Sequence, residues 1–127
     1  MITAALFVVA VVGTPPQTID CDDPNTQLAM NQCAGMKAAK AEERLNEIYR
    51  QSRQRLGVTQ KRKLTEAQRA WLAFRRSWCA FIASGIETGS AQPLVVSECV
   101  RGLTEQRIKQ LEEMSSCKEG DLSCPSR

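Results

Sequence analysis

Between positions 64 and 81, apolar residues recur at steps of three and four. The six residues of this stripe are Leu64, Ala67, Trp71, Phe74, Trp78 and Phe81. An α-helix of 3.6 residues per turn places such residues on one face, whereas a strand alternates its side chains between two faces. The spacing therefore predicts a helix over about 60–83. It also predicts that the stripe packs against other helices as part of the core.

Two further segments have helical patterning. The first runs over about 27–56, with a helix N-cap at Asn25 or Thr26 and an αL cap at Gly57. Its apolar stripe is formed by Leu45, Ile48, Tyr49 and Leu56. The second runs over about 94–114, with Val96, Val100, Leu103, Leu111 and Met114 facing inward. Residues 84–93 hold glycine, serine and proline and predict a loop. The predicted fold is all-α, a small antiparallel bundle of about three helices.

Six cysteines constrain how such helices can be held together. They are Cys21, Cys33, Cys79, Cys99, Cys117 and Cys124. An even number in a short chain that follows an apolar leader indicates a disulfide framework. Six cysteines allow fifteen pairings, so their number alone does not fix the connectivity. A metal site is not predicted, because structural zinc sites use closely spaced cysteine pairs.

The geometry of a disulfide makes one pairing informative about the first helix. A bond between Cys21 and Cys33 requires Cα atoms within about 7 Å of each other. A helix that began at Pro24 would carry Cys33 about 13 Å along its axis, out of reach. This pairing therefore predicts a helix start near Thr26 or Gln27, with residues 21–26 running back beside the first turns.

The N-terminal residues have the character of an export signal. Residues 2–13 are uncharged and almost entirely apolar, and this run is too short for a membrane span, which needs about 20 residues. We therefore predict a signal peptide over 1–13; the alternative is a buried N-terminal strand or helix. Residues 14–26 form a polar segment with three aspartates. No second apolar run follows, so no stable membrane anchor is expected.

The sequence offers little for catalysis. It contains no histidine, which removes the usual general base and the commonest zinc ligand. No P-loop, dinucleotide-binding, nucleophile-elbow, zinc-protease or EF-hand motif occurs. Adjacent carboxylates are interpreted as solvated surface charge; they are Asp22–Asp23, Glu42–Glu43 and Glu112–Glu113. We expect no enzyme activity, cofactor or metal.

The net charge of +3 is only mildly basic. It fits a mixed solvated surface or a weak attraction to anionic envelope polymers or lipids, and it does not predict nucleic-acid binding. Arg75 differs from the other cations because it follows Phe74 beside the apolar stripe. Two interpretations stay open for it. One is structural, either an ion pair with a first-helix glutamate such as Glu43 or Glu47 or a cap on a carbonyl group; the other is a contact with a partner.

These features resemble the LprI-like lysozyme-inhibitor domain family over about residues 20–114. The matching pieces are Asp20-Cys21, Met30-Asn31-Gln32-Cys33, Leu45-Asn46 with Tyr49, Gln68-Arg69-Ala70-Trp71-Leu72-Ala73-Phe74-Arg75, Cys79, Gly89-Ser90, Pro93-Leu94, Cys99, Leu103-Thr104 and Arg107. One position departs from the family pattern, because Arg76 stands where an acidic residue is usual.

The resemblance implies a helical domain over 27–114. Beyond it, residues 115–127 form a cysteine-containing tail. The resemblance also implies the pairs Cys21–Cys33 and Cys79–Cys99. A third pair, Cys117 with Cys124, is predicted only from their proximity across a turn at Gly120 and Asp121.

The function that follows is an exported, non-enzymatic inhibitor of lysozyme-type muramidases, located in the bacterial periplasm or secreted. The expected contact residues are Arg75, Ile86, Glu87, Ser90 and Pro93. Animal lysozymes are typically cationic, so docking needs a local acidic patch. Such a patch could come from Asp20, Asp22 and Asp23, together with Glu112 and Glu113. The alternative is a general periplasmic interaction, stress or immunity protein without lysozyme binding.

Overall fold

A computed structural model describes residue 13 and residues 18–125 of the chain. Three helices dominate this range: α1 (Gln27–Gln54), α2 (Val58–Ile82) and α3 (Gln92–Ser115), with a short 3-10 helix at Ser84–Ile86. No strand occurs among the described residues, so the all-α prediction is confirmed. None of the helices described is long and apolar enough to cross a membrane. Apart from Gly13, the predicted signal peptide lies outside the described residues.

The start of α1 follows from a side-chain cap. The hydroxyl of Thr26 accepts a hydrogen bond from the backbone N–H of Ala29 at 3.0 Å, which satisfies one of the free donors of the first turn. The late start places Cys21 beside Cys33, and their Cα atoms are 5.5 Å apart. The predicted relation between this disulfide and the helix start is confirmed.

Gly57 does not act as predicted. Its backbone is extended, with φ −69° and ψ 169°, and it is the N-cap of α2. Helix α1 ends instead at Gln54, and its C-cap is Arg55 in a right-handed conformation. Only three residues separate α1 from α2, and Gly57 is used to begin the second helix. The expected αL cap is therefore wrong.

The core is small and lies between α1 and α3, which pack closely, while α2 contacts α1 at few positions. Leu45 is fully buried and packs with Ile108 and Leu111. Partly buried side chains surround this cluster: Ile48, Tyr49, Leu64, Trp71 and Met114. The core thus draws on all three helices but is centred on the α1–α3 pair.

The aromatic stripe of α2 is only partly in this core, which corrects the sequence prediction. Leu64 and Trp71 join it, but Phe74, Trp78 and Phe81 are 51%, 43% and 65% exposed. The cause is the rotation of α2 about its axis. Cys79 points toward α3, where it is bonded to Cys99, and successive helical residues diverge by about 100°. The inward position of Cys79 therefore turns the neighbouring aromatic residues to the side.

All three predicted disulfides are present: Cys21–Cys33, Cys79–Cys99 and Cys117–Cys124. The last closes a small tail loop that turns at Gly120, whose φ of 91° suits a residue without a side chain. In the same loop, the hydroxyl and the backbone N–H of Ser123 donate to Asp121, and these bonds lower the pKa of the Asp121 carboxyl.

The disulfides are expected to differ in what they stabilise. Replacing Cys79 and Cys99 together with serine should lower the free energy of unfolding by about 3 kcal/mol, because the bond closes a long loop between two packed helices. Replacing Cys117 and Cys124 should cost the helical core less than about 1 kcal/mol, because the tail can open without it. Urea denaturation followed by circular dichroism measures both. Equal losses would contradict this ranking.

Candidate binding surface at the loop end

The α2–α3 loop is exposed but regularly hydrogen-bonded. Backbone N–H groups of Ile86, Gly89 and Gln92 each donate to the carbonyl three residues earlier, at 2.8 to 3.1 Å. Position 89 is crowded, because a Cβ atom there would lie 3.2 Å from the carbonyl oxygen of Ile86, a close contact that glycine avoids. The loop is thus a series of turns with a defined shape.

Two long-range links hold this loop against the bundle. The side-chain amide of Asn31 in α1 donates to the carbonyl of Ser90 at 2.8 Å. The disulfide between Cys79 and Cys99 joins the helices on either side of the loop. The Asn31–Ser90 bond places the loop beside the first turns of α1, and Cys21–Cys33 brings the polar N-terminal segment to the same place. We call this part of the molecule, residues 18–36 and 77–100, the loop end.

The loop end carries charge of one sign. It contains five acidic residues and no lysine or arginine: Asp20, Asp22, Asp23, Glu87 and Glu98. Glu98 is paired with Arg101, whereas the other four are exposed and form no ion pair within the described residues. Since the whole chain has a net charge of +3, the remainder of the sequence sums to +8. The protein is therefore strongly polarised.

Exposed apolar side chains are concentrated at the same end. Trp78 and Phe81 are the largest, with ring centroids 5.7 Å apart, and Phe74 stacks on Trp78 at 6.0 Å one turn earlier. Five other exposed apolar residues share the loop end: Ile19, Leu28, Met36, Ile82 and Ile86. Aromatic rings that are exposed in the free protein and surrounded by polar residues are typical of binding surfaces.

The predicted contact residues fall into two groups. Ile86, Glu87, Ser90 and Pro93 lie together in or next to the loop, and all four are exposed. Arg75 lies elsewhere: its side chain is only 14% exposed, and its guanidinium donates to both carboxylate oxygens of Glu42 and, at 2.8 Å, to the hydroxyl of Thr104. Arg75 thus has the ion-pair geometry of the first interpretation, although its partner is Glu42 and not Glu43 or Glu47.

Around Arg75, polar side chains join the three helices. The guanidinium of Arg75 lies 5.0 Å from the ring centroid of Trp71, and that of Arg107 lies 5.7 Å from it. Arg107 also donates to the buried Gln68 at 3.0 Å. Partial burial lowers the pKa of Arg107 but leaves it charged. Gln68, Trp71 and Arg75 are spaced three and four residues apart and so lie on one face of α2. Their contacts hold the three helices in position relative to one another.

An open groove of about 820 Å³ lies between α1 and α3 and is lined mainly by charged side chains of both signs. Arg101 in its wall is paired with Glu98 and Glu105, which raise its pKa. No cluster of three or more His, Cys, Asp or Glu side chains that could hold a metal occurs in the described part of the chain.

Sequence reasoning found some of this surface and missed the rest. The three aspartates were identified as a possible acidic patch, but Glu112 and Glu113 lie at the far end of α3, and Glu112 is bonded to Arg44. The exposed Trp78 and Phe81 were assigned to the core. The sequence contains one indication of their exposure. The stripe continues to the end of the helix, next to the loop, and side chains at helix ends are often exposed.

Comparison with known proteins gives two matches. The family model described as lysozyme inhibitor LprI matches residues 21–111. An uncharacterized protein of Rhizobium meliloti (strain 1021) is 29% identical over 113 residues, covering 79% of this chain and 81% of the relative. No solved structure matches.

Proposed function

This chain belongs to the lysozyme inhibitor LprI family, and from that premise we propose that it is an exported, non-enzymatic protein that binds and inhibits a lysozyme-type muramidase. The family match over residues 21–111 carries the proposal. Inhibition requires that the protein cover the cleft where two enzyme carboxylates flank the scissile glycosidic bond. The inhibitor itself needs no catalytic group for this.

The charge distribution supports the loop end as the contacting surface. A cationic lysozyme would be repelled by a uniformly basic protein, but the acidic residues of the loop end would face it first. Opposite charges on two approaching surfaces raise the association rate and favour one orientation. The net charge of +3 would by itself oppose a cationic partner, but the local acidic charge of the loop end favours its approach.

The exposed aromatic residues supply the apolar part of this proposed contact. Binding energy at protein interfaces is concentrated in a few large side chains, often Trp and Tyr, surrounded by polar contacts. Trp78 and Phe81 in α2 fit that role. The polar and apolar residues of the adjoining loop lie at the same end of the molecule: Ile86, Glu87, Ser90 and Pro93. Because Asn31 and the Cys79–Cys99 bond already order the loop, little conformational entropy is lost on binding.

The disulfides support an extracytoplasmic location for this activity. Three disulfides in a short chain are typical of proteins that fold in an oxidising compartment, and cytosolic thiols are kept reduced. The periplasm or the cell exterior is also where a muramidase from outside would be met.

The proposal is tested with a small, soluble, uncharged oligosaccharide substrate, whose hydrolysis reports on the enzyme alone. Micromolar protein should slow hydrolysis by at least one animal-type lysozyme, with saturation at one inhibitor per enzyme. If several lysozyme types are unaffected at this concentration, and none binds by calorimetry, the chain is not a lysozyme inhibitor.

Surface variants locate the contact. Trp78→Ser and Phe81→Ser should each weaken inhibition at least about tenfold, as expected for residues central to an interface. Val58→Ser is the matched control, because Val58 is 86% exposed and lies at the opposite end of the bundle. Glu87→Lys should reduce the association rate, most strongly at low salt. Equal effects from Trp78→Ser and Val58→Ser would move the contact away from the loop end.

A further inference from the structure

The opposite end of the bundle has the reverse charge. We call residues 50–69, which contain the turn between α1 and α2, the turn end. The turn end contains one acidic residue, Glu66, and seven basic residues. The basic residues are Arg50, Arg53, Arg55, Lys61, Arg62, Lys63 and Arg69. The end of α3 reaches the same part of the bundle, but residues 105–116 hold three acidic and two basic residues and so do not neutralise it.

Among the described residues, no acidic side chain forms an ion pair with these cations. The ion pairs found among the described residues involve Arg44, Arg75 and Arg101, and none involves a basic side chain of the turn end. Most proteins intersperse charges of both signs, because unscreened like charges repel and destabilise the folded state. A concentration of unpaired cations is therefore suited to binding an external polyanion.

The arrangement of the arginines indicates a linear ligand. Arg62, Arg69 and Arg76 are spaced seven apart in α2 and are all exposed. Seven residues advance an α-helix by about 10 Å and bring the side chain back to nearly the same face, so the three form a row about 20 Å long. Arg76 completes this row.

A concave surface lies beside the row. A groove of about 360 Å³ between the end of α1 and the start of α2 is lined by Arg53, Val58, Lys61, Arg62, Thr65, Glu66 and Arg69. The side chain of Arg53 is held there by a 3.1 Å hydrogen bond to the Thr65 hydroxyl. Four of the seven lining residues are cations, and three of these are arginines. The planar guanidinium group binds carboxylate and phosphate through two parallel hydrogen bonds.

We propose that the turn end and the row Arg62–Arg69–Arg76 bind a linear glycan polymer that bears carboxylates, as peptidoglycan does on the peptides attached to its strands. A bilayer surface fits less well, because the turn end has one large exposed aliphatic side chain, Val58, among the described residues and so little to insert. This inference is separate from muramidase binding and depends only on the extracytoplasmic location. A chain bound to the wall by its turn end would present its loop end to an arriving muramidase.

The experiment is co-sedimentation of the purified protein with purified insoluble peptidoglycan in the absence of muramidase. We expect binding at about 50 mM salt that is largely lost at about 500 mM, because screening shortens the reach of surface charges. Replacing Arg62, Arg69 and Arg76 with glutamine should weaken binding about tenfold or more. The matched control removes three positive charges elsewhere, with Lys37, Lys40 and Lys109 replaced by glutamine, and should weaken binding less than about threefold.

Each other outcome overturns the inference. Equal losses from the two triple variants would mean that net charge alone drives adsorption. Equal binding to chitin, an uncharged glycan, would remove the role of the carboxylates. Tighter binding to phosphatidylglycerol vesicles or to double-stranded DNA than to peptidoglycan would assign the surface to another polyanion. The arginine variant should still inhibit hydrolysis of the soluble oligosaccharide. The sedimentation assay therefore tests peptidoglycan binding, and the hydrolysis assay separately tests muramidase inhibition.

Discussion

Replacing Leu45 with alanine is expected to lower the free energy of unfolding by about 3–4 kcal/mol. Leu45 is fully buried and packs against Ile108 and Leu111, at the point where α1 meets α3. The substitution removes three buried carbon atoms and leaves a cavity that close-packed helices fill poorly. Because small domains are stable by only about 5–15 kcal/mol, this is a large part of the total.

Urea denaturation followed by circular dichroism measures this loss. The midpoint should fall while the slope of the transition is unchanged, since the surface exposed on unfolding is nearly the same. Leu122→Ala is the control: Leu122 is 98% exposed in the tail, and its replacement should change the stability by less than about 0.5 kcal/mol. A loss below about 1 kcal/mol for Leu45→Ala would show that the α1–α3 contact is not the centre of the core.

Helix existence could be predicted from the sequence because it depends on local patterning. Residues 27–54, 58–82 and 92–115 are helical within about two positions of the predicted bounds, and the N-cap at Thr26 was one of two named candidates. The disulfide pairs could be predicted for a different reason. The family resemblance implied two of them, Cys21–Cys33 and Cys79–Cys99, and closeness along the chain indicated the third.

The rotation of each helix about its axis could not be predicted in the same way. An amphipathic pattern identifies an apolar face, but the face that becomes buried also depends on the neighbouring helices. In α2 the Cys79–Cys99 bond and the Arg75–Glu42 pair select a face about 110° from the centre of the three exposed aromatic residues. Both are contacts between distant parts of the chain, so Trp78 and Phe81 could not be assigned to the surface from periodicity alone.

The candidate surface depends on the same long-range contacts. The loop containing Ile86 and Glu87 was evident from its glycines, serines and proline. That the aspartates of the N-terminal segment share an end of the molecule with this loop required the Asn31–Ser90 hydrogen bond and the Cys21–Cys33 bond. The separation of charge along the bundle follows from this placement, and a net charge of +3 does not reveal it.

Arg75 is expected to contribute through its pairing with Glu42. Its side chain is 14% exposed and that of Glu42 is 35% exposed, so the pair lies between the surface and the fully buried case. Removing one partner of a buried pair costs about 3–5 kcal/mol, whereas an exposed pair contributes about 0–1 kcal/mol. We expect Arg75→Ala to cost about 2–3 kcal/mol, since it also removes the donor to Thr104 and the contact with Trp71.

A double-mutant cycle separates the pair from those other contacts. Arg75→Ala, Glu42→Ala and the double variant should give a coupling energy of about 1–2 kcal/mol. Arg44 and Glu112 provide the matched control, because they also join two helices but are 64% and 44% exposed, and their coupling should be below about 0.5 kcal/mol. Equal coupling in the two cycles would mean that solvent screens both pairs alike. Arg75→Lys should recover only part of the loss, because an ammonium group cannot donate to the carboxylate of Glu42 and the hydroxyl of Thr104 in the geometry of the guanidinium fork.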